Sequence, residues 1–242
     1  MEFNYKFETE KDYENFVQLL KDNSKNETVE YYNKHKAIIN TKKDIIAIKM
    51  QVIRDISKKI AKNDLFGFLK LAKDDTYEEV LIQGLVITYI KDIDLQIERL
   101  KTWMPKMDCW AHVDGVVGNM KIYAKSPEKE KYFDYFYNLC FEKEEFISRF
   151  GIVVLMSYFI DDEHIDKIID MCRNVKNTAF YVEMALAWLV SVCFVKQREK
   201  TLNLLREQCL DKFTQNKSIS KCRDSFRVSK EDKEYLKILR IK

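Results

Sequence analysis

Proline and glycine are scarce in this chain, which has 2 prolines and 5 glycines among its 242 residues. An all-β fold needs many tight turns, and those two residues supply most of the turn chemistry. No segment shows the sustained alternation of polar and apolar residues that a half-buried strand would show. The sequence therefore predicts an all-α fold of long helices joined by short loops.

Cysteine pairs and long apolar runs are also missing. The six cysteines form no Cys-x-x-Cys pair and lie largely in apolar helical patterns, which predicts reduced thiols in a cytosolic protein. The first residues, 1–4, do not begin a signal peptide. The longest apolar runs, Phe150–Ile160 and Met184–Val195, fall short of the ~20 residues that span a bilayer. We expect buried helices, a cytoplasmic protein and no membrane partner.

Recognisable cofactor motifs are absent as well. Neither the phosphate-binding G-x-x-x-x-G-K-[ST] pattern nor the dinucleotide-binding G-x-G-x-x-G pattern occurs. Cys109 and His112 are three residues apart, but the other histidines lie on distant segments, so a zinc site is not expected. The acidic run Asp161–His164 resembles a metal cluster but is also typical of a helix start, where the dipole favours carboxylates. We expect neither a metal nor an organic cofactor.

Helical periodicity recurs along the chain. The longer, more apolar helices are predicted to begin near Thr76, Asp108, Glu144 and Thr178, so they return every ~32–36 residues. Shorter amphipathic helices are predicted between them, near Asp94–Trp103, Glu128–Cys140, Asp161–Cys172 and Gln197–Cys209. Two-helix units at that spacing stack into an α-solenoid, each burying its apolar face on the next. The repeat is degenerate, because no residue recurs at fixed positions.

Several helix starts are marked by capping residues. The segment Thr76–Glu79 has the form of a capping box. Ser126-Pro127 places a cap residue before a proline at the first helical position. One of the two aspartates at 161–162 is predicted to cap the next short helix, and Ser229 is predicted to start the last one.

The first 40 residues are predicted to contain two helices, Lys11–Leu20 and Val29–His35, that cap the solenoid. No low-complexity segment or clear linker divides the chain. We therefore expect a single domain over residues 1–242, with an N-terminal helical cap (1–40) and a solenoid over residues 41–242.

Positive charge is concentrated at the C-terminal end. Residues 196–242 contain fourteen Lys/Arg against seven Asp/Glu, a net of +7, which leaves −4 for residues 1–195 from the whole-chain +3. Lys217, Lys221, Arg223 and Arg227 recur at short helical spacing within this end. Such a stripe is typical of phosphate binding or of a simple solvated helix face, and the spacing favours neither.

One pair of residues carries the strongest functional signal. Trp110 and Asp114 are four residues apart on a predicted helix and therefore share a face. Later helices contribute Arg149 and Trp188. Separately, each has an ordinary explanation, since a tryptophan in an apolar run is usually core and an arginine often forms a surface salt bridge; Trp103 is predicted to be core. Together they suit a flat, cationic ligand on a polyanionic strand, such as an alkylated purine in DNA.

In this order, the elements resemble those of the AlkD-type DNA alkylation repair family, the HEAT-like repeat glycosylases. The region Thr41–Ile60 is similar to the family's early loop and following helix, and Tyr77–Leu85 to the next helix. Trp110-x-x-x-Asp114 matches the family's aromatic residue and catalytic acid. The resemblance covers the chain from Thr41 to its end. Where many relatives have Gly and Pro in the early loop, this chain has Ala47 and Gln51.

The resemblance implies a DNA glycosylase that removes cationic N3- or N7-alkylpurines from duplex DNA. It gives Asp114 the catalytic role, Trp110 and Trp188 the walls of the lesion site, and Arg149 a phosphate contact. Lys49 in the early loop is also expected to bind DNA, together with the C-terminal basic stripe. A monomer associated with the nucleoid is expected. Two alternatives are open: a non-catalytic protein that binds damaged or branched DNA, and a protein-interaction scaffold.

Overall fold

In the computed structural model, the residues described are 3–24 and 29–242. These residues form fourteen α-helices and two short 3₁₀ turns, and the one pairing of extended backbone among them is an isolated bridge between Asp44 and Thr76. Within these residues, none of the helices combines the length and the apolar character that crossing a bilayer requires. The all-α prediction is therefore confirmed.

The first of two compact units spans residues 1–122. Its helices are α1 (Glu10–Ser24), α2 (Val29–Ile39), α3 (Met50–Asn63), α4 (Leu65–Leu71), α5 (Tyr77–Ile87), α6 (Ile93–Trp103) and α7 (Trp110–Val117). Alternate helices α3, α5 and α7 pack side by side, while α4 and α6 pack against α5. Helix α5 lies at the centre of this unit, and every one of its residues is buried.

The second unit spans residues 123–242. Its helices are α8 (Lys129–Leu139), α9 (Glu145–Tyr158), α10 (Ile165–Asn174), α11 (Phe180–Lys196), α12 (Arg198–Glu207), α13 (Lys212–Asp224) and α14 (Lys230–Ile238). Helices α9, α11 and α13 again pack in sequence, and α10 packs against α12. The same alternate-helix packing thus appears in both units.

The odd-numbered helices from α5 to α13 begin at the spacing of the predicted repeat, although α7, with 8 residues, is shorter than its neighbours α6 and α8 and not longer as predicted. Helices α5, α7, α9, α11 and α13 begin 33, 35, 35 and 32 residues apart. Each unit stacks helix pairs in the way that characterises an α-solenoid, which confirms that part of the fold prediction. The physical reason is that each amphipathic pair buries its apolar face only by packing on the next pair.

Two glycines allow helices to approach closely. A Cβ at Gly84 of α5 would lie 2.4 Å from the Trp103 ring and 2.5 Å from a methyl group of Val116 on α7. A Cβ at Gly151 of α9 would lie 2.7 Å from the carbonyl oxygen of Phe136 on α8. Trp103 is fully buried, as predicted, and its indole N–H donates to the Val80 carbonyl at 2.8 Å.

The predicted helix starts are partly confirmed. Thr76 and Glu79 form the complete capping box, and Ser229 accepts a hydrogen bond from the Asp232 amide. The expectation for Ser126-Pro127 is wrong, because α8 begins only at Lys129 and the Ser126 hydroxyl accepts instead from the Glu128 amide in the preceding turn. Asp161 likewise accepts from the amide of His164, one residue before α10, and so caps the turn that leads into the helix.

All six cysteines are free thiols in this structure. Five are buried, as their apolar helical surroundings suggest, and Cys209, just after α12, is exposed. Burial raises the pKa of the Cys109 thiol to about 12, so this group stays protonated at neutral pH and serves as a small apolar side chain.

Candidate DNA-facing site

Helix α7 carries Trp110 and Asp114 on one face, and both side chains are partly exposed. The Trp110 indole N–H donates to the Ile38 carbonyl at the end of α2, over 3.1 Å. That bond fixes the ring orientation while leaving part of its surface accessible. The structure therefore places the predicted pair together at the surface of the first unit, one helical turn apart.

The opposite face of α7 is anchored by His112, which is completely buried. Its Nε2–H donates to the Tyr77 carbonyl over 3.0 Å, and its ring stacks on the Tyr77 ring at 4.9 Å. Its Nδ1 accepts weakly from the Asp108 amide at 3.4 Å. This neutral tautomer locks α7 onto α5, so the direction in which Asp114 points is set by the core.

Burial lowers the pKa of His112 to about 4, which makes stability depend on pH. The unfolded state, with a histidine pKa near 6.5, binds the proton more readily, so stability is full above about pH 6.5 and falls as the pH drops toward 4. We expect protonation of His112 to lower the free energy of unfolding by up to ~1.4 kcal/mol per pH unit, or by about 3 kcal/mol in all as the pH falls from about 6.5 to about 4. Urea unfolding at several pH values measures it. A His112→Gln variant should lose this slope, and an unchanged slope would contradict the assignment.

Two carboxylates hold the early loop, residues 41–48, which precedes α3. Glu78 of α5 accepts three backbone hydrogen bonds, from Ile46 at 2.9 Å, Ala47 at 2.7 Å and Ile48 at 3.3 Å. Asp108 accepts from the Thr41 hydroxyl at 2.7 Å and from the Lys42 amide at 2.8 Å. The loop is therefore fixed to the same two elements, α5 and the start of α7, that position the Trp110–Asp114 pair.

Ala47 adopts the left-handed conformation at this point, with φ of 66°, and is only 2% exposed. The left-handed region favours glycine, so an alanine there is unusual. Glu78 supports this conformation, because it binds the amides of the residues on both sides of Ala47. An L-residue in this region costs roughly 1–2 kcal/mol, so the loop is held under strain.

Replacing that alanine tests the strain directly. We expect Ala47→Gly to raise the free energy of unfolding by about 0.5–1 kcal/mol, because glycine has no Cβ penalty at positive φ and loses only part of that gain to unfolded-state entropy. Thermal or urea unfolding measures it. The control is Ala61→Gly within α3, which should destabilise by about 1 kcal/mol. A destabilising Ala47→Gly substitution would show that the left-handed conformation is not strained.

Lys49 and Gln51 flank the start of α3, and both side chains are exposed. The Lys49 ammonium lies 6.0 Å from the centre of the Tyr31 ring. The Gln51 side chain donates to Asp55 one turn later at 3.1 Å and so supports the helix start. DNA binding by Lys49 stays a prediction.

Arg149 lies in the second unit and is only 5% exposed. Its guanidinium donates to the Tyr181 carbonyl at 2.9 Å and lies 6.0 Å from the centre of the Tyr181 ring. Those contacts connect α9 to the start of α11, about two helical turns before Trp188. A group so deeply buried presents little surface, and its contact with phosphate stays a prediction.

Trp188 of α11 is 37% exposed although it lies in an apolar run. The Lys221 ammonium lies 6.0 Å from the centre of the Trp188 ring. The ring lines a cavity of about 460 Å³. The exposed residue Phe226 lines the same cavity. Phe226 was not predicted as a functional residue, because it lies in a loop and belongs to no periodic sequence pattern.

The predicted basic stripe is divided by the helix geometry. Lys217 and Lys221 share one face of α13, since they are four residues apart. Arg223 lies on another face, where its charge adds to the main effect of Lys237 in lowering the pKa of Glu234. Arg227 is exposed in the loop after the helix.

Glu183 of α11 lies close to Asp211, the N-cap residue of α13. Burial and the neighbouring Asp211 charge raise the pKa of Glu183.

Two groups of side chains bring potential metal ligands within 4.8 Å of one another: Asp108 with Cys109 and His112, and Glu130 with Glu163 and His164. In the first, both available His112 nitrogens already face backbone groups, and Asp108 binds the early loop. In the second, His164 lies 2.6 Å from both Asp161 and Glu130. The expectation of no metal stays a prediction.

A family model described as DNA alkylation repair enzyme matches residues 16–214, most of the chain. The chain belongs to the DNA alkylation repair enzyme family. Comparisons with curated proteins and with solved structures give no match. Membership assigns the protein a role in DNA alkylation repair and makes DNA its expected partner. It also confirms the resemblance that the Trp110–Asp114 pattern indicated.

Proposed function

We propose that this DNA alkylation repair protein is a monofunctional DNA glycosylase for cationic N3- and N7-alkylpurines. The observation that carries the proposal is the Trp110–Asp114 pair, partly exposed on one face of α7 while His112 anchors the other. A carboxylate held by a rigid helix is preorganised for charge that develops in a transition state. The early loop, which Glu78 and Asp108 hold by hydrogen bonds, gives this part of the first unit a rigid surface.

The chemistry suits a single carboxylate. Alkylation gives the purine a positive charge and makes it a good leaving group, so no second acid is needed to protonate it. Cleavage of the glycosidic bond develops positive charge on the deoxyribose, as in other oxocarbenium-like transition states. Asp114 stabilises that charge and orients the attacking water, which adds at C1′ and passes its proton to the carboxylate or to solvent.

The remaining predicted residues bind the damaged strand. In the first unit Trp110 packs against the cationic base or its sugar, a cation–π contact that contributes roughly 0.5–2 kcal/mol. In the second unit Trp188 packs against the DNA strand. Arg149, Lys49, Lys217, Lys221, Arg223 and Arg227 neutralise phosphates without reading sequence. We propose that this HEAT-like repeat protein acts on duplex DNA as a cytoplasmic, nucleoid-associated monomer without a cofactor.

The test is release of free base. Duplex DNA treated with a methylating agent is incubated with the protein, and free 7-methylguanine and 3-methyladenine are measured by chromatography. We expect time-dependent release of at least one of them. DNA binding without release would identify a non-catalytic damage-binding protein, and no duplex binding at physiological salt would favour a protein scaffold.

A further inference from the structure

The second unit contains a cavity that is lined in part by residues proposed above to bind DNA. It lies between the C-terminal half of α11 and the end of α13 with its following loop, and its volume is about 460 Å³. That volume falls within the roughly 300–1,000 Å³ of small-molecule sites. The lining includes Trp188, Lys196, Lys221, Asp224, Phe226 and Arg227.

Two aromatic rings give this cavity flat apolar surface. Trp188 is about one-third exposed, and Phe226 is fully exposed to solvent. Because Phe226 is fully exposed, its apolar surface contributes nothing to the stability of the folded chain. It lines the same cavity as a second accessible aromatic ring, that of Trp188. Stacking against a planar, apolar-faced ligand would remove both surfaces from water.

The charges around the rings favour a strand of nucleic acid. Lys196, Lys221 and Arg227 place three cations on the lining against one carboxylate, Asp224. The Lys221 ammonium lies 6.0 Å from the centre of the Trp188 ring, so a phosphate paired with it has an aromatic face within reach of the attached base. Asp224 accepts hydrogen bonds from exocyclic amino groups, which a base exposes when it is unpaired.

We propose that this cavity binds one unpaired nucleobase of a DNA strand, stacked on Phe226 and Trp188, with its flanking phosphates on the three cations. The inference rests on the proposed function, because that function brings DNA to this surface. Stacking on aromatic side chains recognises any base, since every base has a π-face. The cavity would thus favour DNA whose strand is locally unstacked.

The experiment compares three labelled DNA duplexes with the same number of base pairs by fluorescence anisotropy. One is fully paired, one has a single extra deoxyadenosine, and one has an abasic residue in place of that deoxyadenosine. The two bulged duplexes have the same charge and differ only in the base. We expect the protein to bind the deoxyadenosine bulge about tenfold more tightly than the abasic bulge. Phe226→Ala should abolish that preference, and the control Phe66→Ala, an exposed phenylalanine of α4, should keep it.

Each outcome decides the matter. Lys221→Ala is expected to weaken binding of all three duplexes alike, because it contacts backbone. Equal affinity of the unaltered protein for the two bulges, or a preference that survives Phe226→Ala, overturns the inference. If methylated bases are released but the bulges are not distinguished, only this inference fails; if no duplex is bound, the proposed function fails with it.

Discussion

Asp114→Asn is expected to bind methylated duplex DNA as the unaltered protein does and to release alkylated base at least ~10²-fold more slowly. The amide is nearly isosteric with the carboxylate, so the helix and the hydrogen bond from Trp110 to the Ile38 carbonyl should be unchanged. What the variant loses is the negative charge that stabilises the developing positive charge on the sugar. Single-turnover release of 7-methylguanine, with protein in excess, measures the chemical step without product dissociation.

The control for this substitution is Asp55→Asn, which removes an exposed aspartate from α3 in the same unit. It changes the net charge equally and should leave the release rate within about twofold, because a solvated charge away from the reacting sugar is screened. Unchanged release by Asp114→Asn would reject the catalytic role. A comparable loss in both variants would instead point to a general electrostatic effect on DNA binding.

Glu78→Ala is expected to lower the free energy of unfolding by about 4 kcal/mol, because it leaves three backbone amides of the early loop without their acceptor, two of them on buried residues. Each buried amide that loses its partner costs ~1–3 kcal/mol. The strained backbone at Ala47 would also lose the bonds that hold it. Urea unfolding at pH 7 measures the loss.

Glu78→Gln separates charge from geometry. Oε1 accepts from two amides and Oε2 from the third, so a glutamine must turn its own N–H₂ group toward one donor. We expect this variant to be destabilised as well, though less than the alanine. The control Glu98→Ala, at an exposed position of α6, should change stability by at most ~0.5 kcal/mol. A loss below 1 kcal/mol in Glu78→Ala would mean that the loop does not depend on this carboxylate.

The helices and their order could be predicted from sequence. The start of a helix depends on a few neighbouring residues, as in the capping box at Thr76. The spacing of the helices follows from the apolar faces that must pack on one another. The failure at Ser126 shows the limit of this reasoning. A serine hydroxyl before a proline can accept a hydrogen bond from an amide of the helix or from an amide of the turn before it. Which amide it binds depends on where the helix begins, and here it is the Glu128 amide in the turn.

The candidate site was predictable only in part. The Trp110–Asp114 pair is visible because a four-residue spacing is a local property of a helix. The role of Glu78 was missed, although its helix was recognised, because its partners lie about thirty residues earlier and carry no side-chain signal. Arg149 donates to a backbone carbonyl more than thirty residues later, a contact that the sequence around it does not signal. Its contact with phosphate stays a prediction.

The helical class, the two-helix repeat and the family could be read from the residues, because they depend on periodicity and on short spacings within single helices. Which groups are buried, which are exposed and how the early loop is held became clear only from the folded chain. Those properties depend on contacts between distant segments. The Glu78 carboxylate binds the amide of a left-handed alanine, and the loop after α13 places Phe226 in the same cavity lining as Trp188. Such contacts are set by the packing of the whole unit, which local sequence patterns do not encode.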